Sequence, residues 1–173
     1  NVETASPDID ESAVEADSPS HLAEKLAKIK AEKVYRDLHP EGCPVVAADT
    51  LVEIGGKILG KPRSVAEAGE MLRMLSGKLH YVHTGLAVIY SGTFASAVET
   101  ATVHFRELSD DEIESYIMSG EPMDKAGAYG IQGRAGAFVD RIEGDFFSIV
   151  GLPLCRLVTL LRNTMGLTLS DMK

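Results

Sequence analysis

Two long strand-like stretches, Leu79 to Tyr90 and Ala95 to Leu108, meet around Ser91-Gly92-Thr93. Alternating and β-branched residues broken by a Gly-containing turn predict a hairpin. An isolated two-stranded hairpin is marginal in water, so other elements must pair with it and cover it. The chain therefore has to be built round a sheet, and the flanking segments supply what covers it.

Ser18-Pro19 predicts a helix start, with Ser as cap and Pro in the first turn. Leu22, Leu26, Ile29 and Val34 then recur at helical spacing as far as Pro40. Ser64-Val65-Ala66-Glu67 and Ser109-Asp110-Asp111-Glu112 have the form of capping boxes. The first opens a helix through Met71, Leu72 and Leu75 that stops at Ser76-Gly77, and the second a helix to about Met118. Pro44 to Ala48 is a short apolar run ending at Asp49-Thr50, which predicts a buried strand. Leu51 to Leu59 predicts a hairpin turning at Gly55-Gly56. Val2 to Ile9 is a candidate short strand, Gly120 to Gly136 reads as irregular, Gly136 to Ile142 as a strand and Pro153 to Leu161 as a closing helix. The chain has 173 residues, and single domains run to roughly 100–200. With no repeat and no linker, the expectation is one α/β domain over residues 1–173 with a mixed sheet.

Three clusters carry candidate chemistry. They are Asp8, Asp10 and Glu11; Asp49-Thr50 with Lys61 in Leu59-Gly60-Lys61-Pro62; and Asp124-Lys125 leading into Ala126 to Gly133. Carboxylates facing lysines at strand ends and in Gly-rich loops suit phosphate chemistry. The carboxylates hold magnesium or orient water, and the lysines offset charge on a leaving pyrophosphate. Each cluster also has a structural reading, as a solvated loop, a turn cap or an exposed lysine. His80 and His83 lie three apart on a strand and so point to opposite faces, a poor pair for a metal. No phosphate loop of the G-x-x-x-x-G-K-[ST] form is present.

A net charge of −9 argues against nonspecific binding to nucleic acid, which needs a positive footprint. No apolar run approaches the ~20 residues that span a bilayer. With no secretory leader visible, we read the chain as cytoplasmic. Cys43 and Cys155 are expected to be buried or partly buried free thiols.

Ala47-Ala48-Asp49-Thr50, Leu59-Gly60-Lys61-Pro62, Leu75-Ser76-Gly77 and His83-Thr84-Gly85 resemble the Maf family of nucleotide pyrophosphatases. So does the run Ser119-Gly120-Glu121-Pro122-Met123-Asp124-Lys125-Ala126-Gly127-Ala128-Tyr129-Gly130-Ile131-Gln132-Gly133, with Gly144-Asp145 and Val150 to Leu154 closing the match. The resemblance spans about Pro7 to about Leu161. It implies a fold like that of the inosine triphosphate pyrophosphatases, with two lobes flanking a cleft on an elongated twisted mixed sheet. It implies hydrolysis of dTTP or UTP, or of modified pyrimidine nucleotides, to monophosphate and pyrophosphate, as nucleotide-pool house-cleaning.

By the same resemblance Asp49 is the general base, and Glu11 is a metal or water ligand. Asp124 is a further acidic member, so that Glu11, Asp49 and Asp124 hold a divalent cation, Mg2+ or Mn2+. Lys30 and Lys61 contact phosphate, with Lys61 counted in the catalytic set. Lys125 belongs to the substrate loop, and Thr50 and Gln132 match positions linked to base selection. A Gln amide offers a donor and an acceptor to the matching edge of uracil or thymine. The nucleotide is the expected partner, and a homodimer is compatible with this reading although no contacting surface is identified. Family members open with a strand and a Ser-Ala-Ser-Pro-Arg-Arg type loop that helps bind the triphosphate, and no match stands before Pro7. The expectation divides there: an active enzyme, or a catalytically weakened nucleotide-binding regulator linked to septum formation. A phosphatase using Asp49 as nucleophile is a third reading, weakened because the first Asp of its Asp-x-Asp motif is absent.

Overall fold

The computed structural model describes residues 2–166. The hairpin forms as β3 (Leu79–Tyr90) and β4 (Thr93–Phe105), joined by Ser91 and Gly92. Both turn residues have positive φ, 46° and 79°, the backbone that matches the twist of paired strands. β1 (Val45–Ile54), β2 (Lys57–Leu59) and β5 (Val139–Glu143) complete a sheet in the order β2-β1-β3-β4-β5. The α/β class holds, but the four described pairings are all antiparallel, where a mixed sheet was expected. Tight turns join β1 to β2 and β3 to β4, and such hairpin connections produce only antiparallel neighbours.

Among the described residues five α-helices cover the sheet: α1 (Pro19–Leu38), α2 (Val65–Leu75), α3 (Asp110–Met118), α4 (Phe146–Val150) and α5 (Leu154–Met165). Ser18 caps α1 through His21 N, as its sequence foretold. The box at Ser109 is complete. The one at Ser64 is only half made, because Glu67 reaches one residue further back to the N–H of Arg63, 2.6 Å away. Val2 to Ile9 forms no strand, and the last strand begins at Val139 because Arg134–Phe138 winds into a 3-10 turn. Cys43 and Cys155 are exposed rather than buried.

The strand alternation decides which helix meets which face. Val45, Ala87 and Ile89 pack against Ala27 and Ala31 of α1. Leu86 and Val88, on the other face, pack against Leu160 and Leu161 of α5. Further along that face, Val52, Val82 and Val103 meet α2, α3 and the irregular segment 120–138 in the largest core. The two lobes are the α1–α5 end and the α2–α3 end of the same sheet. β2 pairs only with Val52–Ile54, so β1 has no ladder partner on that side from Val45 to Leu51 among the described residues. The cleft between the lobes lies against this open edge.

His80, fully buried, ties the sheet to the irregular segment. Its Nε2 lies 2.8 Å from the Tyr129 hydroxyl, and its Nδ1 has no partner among the described residues. Burial, with a smaller push from His104, holds its pKa down to about 4 from 6.5. Since the unfolded chain takes up this proton first, stability falls as pH drops from about 6.5 to about 4. At ~1.36 kcal/mol per unit the loss is about 3 kcal/mol. Urea unfolding across that range should show it, and His80→Gln should flatten the slope; an unchanged slope would refute the assignment.

Candidate functional site

A cavity of about 780 Å³ occupies the cleft, within the ~300–1,000 Å³ usual for small-molecule sites. Glu11, Lys30, Asp49, Thr50, Lys61, Asp124, Lys125 and Gln132 all line it. The residues given roles by the resemblance therefore face one space, although five separate stretches supply them, whereas Asp8 and Asp10 of the first cluster do not line it.

Asp49 sits on β1 opposite Gly85 of β3. This is the α1 face, and α1 can come close there because Gly85 has no side chain. A Cβ on it would stand 2.2 Å from the Ala23 carbonyl oxygen. The close approach brings Lys30 over Asp49. The Lys30 ammonium donates to Asp49 Oδ1 and also to Glu11 Oε1, 2.7 Å away. Burial, the largest influence, raises the Asp49 carboxyl above the usual carboxylate range; the Lys30 bond opposes it without cancelling it. For Lys30, burial pulls the ammonium down, but the bonds to Asp49 and Glu11 outweigh it and leave its pKa raised. The lysine is thus a fixed positive charge that holds two carboxylates together.

Across the cavity stand Lys61, exposed between β2 and α2, and the pair Asp124–Lys125, bonded at 2.5 Å. The Lys125 bond leads the causes that hold Asp124 below the usual carboxylate range. Asp124 shares the cavity with Glu11 and Asp49, but no cluster of three metal-ligating side chains occurs among the described residues. The donor set still suits a hard cation. Glu11 and Asp49 already converge on one ammonium, and Mg2+ typically takes one or two carboxylates plus substrate phosphates and water.

Thr50 illustrates what tertiary pairing adds. Thr84, fully buried, donates its only hydroxyl proton to the carbonyl of Ser148 at 2.7 Å. The 2.8 Å bond between Thr50 and Thr84 must then be donated by Thr50. Towards a ligand, the Thr50 hydroxyl is left as an acceptor. Thr84 and Ser148 were assigned no role from the sequence, although Thr84 stands in His83-Thr84-Gly85, and nor were Tyr116, behind the Gln132 turn, and Glu121, which lines the cavity beside it. Glu121 stood inside the quoted motif, but only a contact with residues far along the chain reveals what it does. His80 and His83 point apart as expected: His80 meets Tyr129, whereas His83 meets Thr100 at 2.9 Å and Glu53 at 3.4 Å.

The family model described as Maf-like protein matches residues 1–164. A protein of Symbiobacterium thermophilum named dTTP/UTP pyrophosphatase is 49% identical over 157 residues, covering 91% of this chain and 80% of its own length. One of the same name from Geobacillus sp. strain WCH70 is 51% identical, covering 87% and 80%. Another from Alkaliphilus oremlandii is 48% identical, covering 96% and 87%. With the family's sequence match spanning almost the whole chain, the chain belongs to the Maf family.

Proposed function

We propose that this chain is a nucleoside triphosphate pyrophosphatase that cleaves dTTP and UTP between the α and β phosphates. The observation that carries the proposal is the cleft itself, where Lys30 holds Asp49 and Glu11 on one wall and Lys61, Lys125 and Gln132 line the same space. The name shared by relatives at about half identity supports the same substrates.

In this reading Lys30, Lys61 and Lys125 bind the polyphosphate and offset charge on the departing pyrophosphate. Asp49 accepts a proton from water as it attacks the α phosphorus, and its raised pKa suits a base. Glu11 and Asp49, with Asp124 nearby, would hold a divalent cation, Mg2+ or Mn2+. The chemistry such a cation supplies is charge neutralisation and polarisation of the phosphorus centre. Gln132 offers a donor and an acceptor to the pyrimidine edge, and Thr50, an acceptor towards the ligand, suits a uracil or thymine N3–H. A reaction of this kind removes pyrimidine triphosphates from the pool that polymerases draw on.

A substrate panel of UTP, dTTP, CTP and 7-methyl-GTP with magnesium or manganese tests the proposal. We expect pyrophosphate, not orthophosphate, and the highest kcat/KM for UTP and dTTP. A preference for the guanine nucleotide, or orthophosphate as product, would overturn it. No helix among the described residues is long and apolar enough to cross a membrane.

A further inference from the structure

Segment 120–134 has little regular structure, yet it presents Lys125 and Gln132 to the cavity. Two sets of contacts hold it. In front, Gly127 presses on Val52, so that a Cβ would come within 3.0 Å of Val52 Cγ1, and Tyr129 is bonded to His80. Behind, the buried Tyr116 of α3 accepts the N–H of Gly130 at 3.2 Å and donates to Glu121 Oε1 at 3.2 Å. The Glu121 carboxylate in turn accepts the N–H of Arg134, at 3.1 and 3.3 Å to its two oxygens. It lies so close beneath Gly133 that a Cβ there would be 1.8 Å from Oε1.

One hydroxyl and one carboxylate therefore grip both ends of the turn Gly130–Gly133, and Gln132 stands between the grips. The directions are fixed by proton count. Tyr116 has one proton, given to Glu121, and a lone pair left for Gly130. Burial pushes its pKa up to about 12, so the donor persists at neutral pH.

Resting on the function proposed above, we infer that Tyr116 and Glu121 are positioning residues for base selection, holding the Gln132 turn in the register that reads the pyrimidine edge. An exposed Gln on a short turn discriminates only if its backbone cannot rotate, because a side chain free to re-pair satisfies uracil and cytosine alike. Tyr116 does not line the cavity, and Glu121, which does, has its carboxylate engaged by Tyr116 and the Arg134 N–H. Its removal should change which base is chosen and leave the chemistry of a bound nucleotide intact.

Tyr116→Phe keeps the ring and deletes the hydroxyl, whereas Glu121→Gln keeps the shape and weakens the acceptor. We expect kcat/KM for UTP relative to CTP to fall about tenfold in each, the worth of roughly one hydrogen bond. The loss should lie in KM for UTP, with kcat within about twofold of wild type and the thermal midpoint little changed. A role in stability alone would depress both nucleotides equally, so an unchanged UTP-to-CTP ratio in both variants overturns the inference. Wild-type protein that releases no pyrophosphate from UTP overturns instead the function on which it rests.

Discussion

Asp49→Asn will leave the protein folded and remove most of its pyrophosphatase rate. The substitution keeps the size and planarity of the side chain, and the amide oxygen can still accept from Lys30. What it loses is the ability to take a proton from water. General-base contributions are ~10²–10⁴-fold, and kcat should fall by that order. The same assignment fixes a sign for pH. A base works deprotonated, and burial raises the Asp49 pKa above the usual carboxylate range. Activity should therefore fall as pH drops and Asp49 takes up its proton. Pyrophosphate release by the variant, with its thermal midpoint as the control for folding, provides the measurement. A folded variant with near-normal kcat would remove Asp49 from the mechanism and leave Lys30 and Glu11 without a role around it.

Gly85→Ala is the substitution expected to cost the most stability for the fewest added atoms. Gly85 needs no unusual backbone; its reason is space. An added Cβ would lie 2.2 Å from the Ala23 carbonyl oxygen, 2.4 Å from its carbon and 2.5 Å from the Glu24 nitrogen. All three are backbone atoms of α1, which cannot yield by a change of rotamer, so the helix must move away from the sheet. Overpacking of this kind costs about 1–3 kcal/mol and sometimes more. Because α1 carries Lys30, the same shift draws the ammonium away from Asp49 and Glu11. Stability and kcat/KM should drop together, read by denaturant midpoint and pyrophosphate release. A variant of wild-type stability would show that α1 and β3 are not in this contact.

These two residues divide the question of what a reader of the chain can see. Asp49 was legible as a member of a recognisable motif but not as a strand end, because β1 runs on through it to Ile54. Gly85 was legible as part of His83-Thr84-Gly85, but not its reason, which lies at Ala23 and Glu24, more than sixty residues earlier. Cys43 and Cys155 were misjudged because exposure depends on what packs nearby. α4 passed unread because a helix of five residues is too short to show periodicity. The half-made box at Ser64 shows the same limit at close range: the pattern named the right residues, and the Glu67 carboxylate chose a neighbouring N–H.

Most of the order of elements and the positions of their caps were written in the chain, because caps, turns and alternation act over a few residues and depend on side-chain type alone. Tertiary structure decided the rest: that Lys30 bridges Glu11 and Asp49, that Thr84 turns Thr50 into an acceptor, and that Tyr116 and Glu121 grip the Gln132 turn. Each of these depends on where a hydroxyl proton or an ammonium points. That direction is set by groups brought within about 3 Å by packing, which no local pattern encodes.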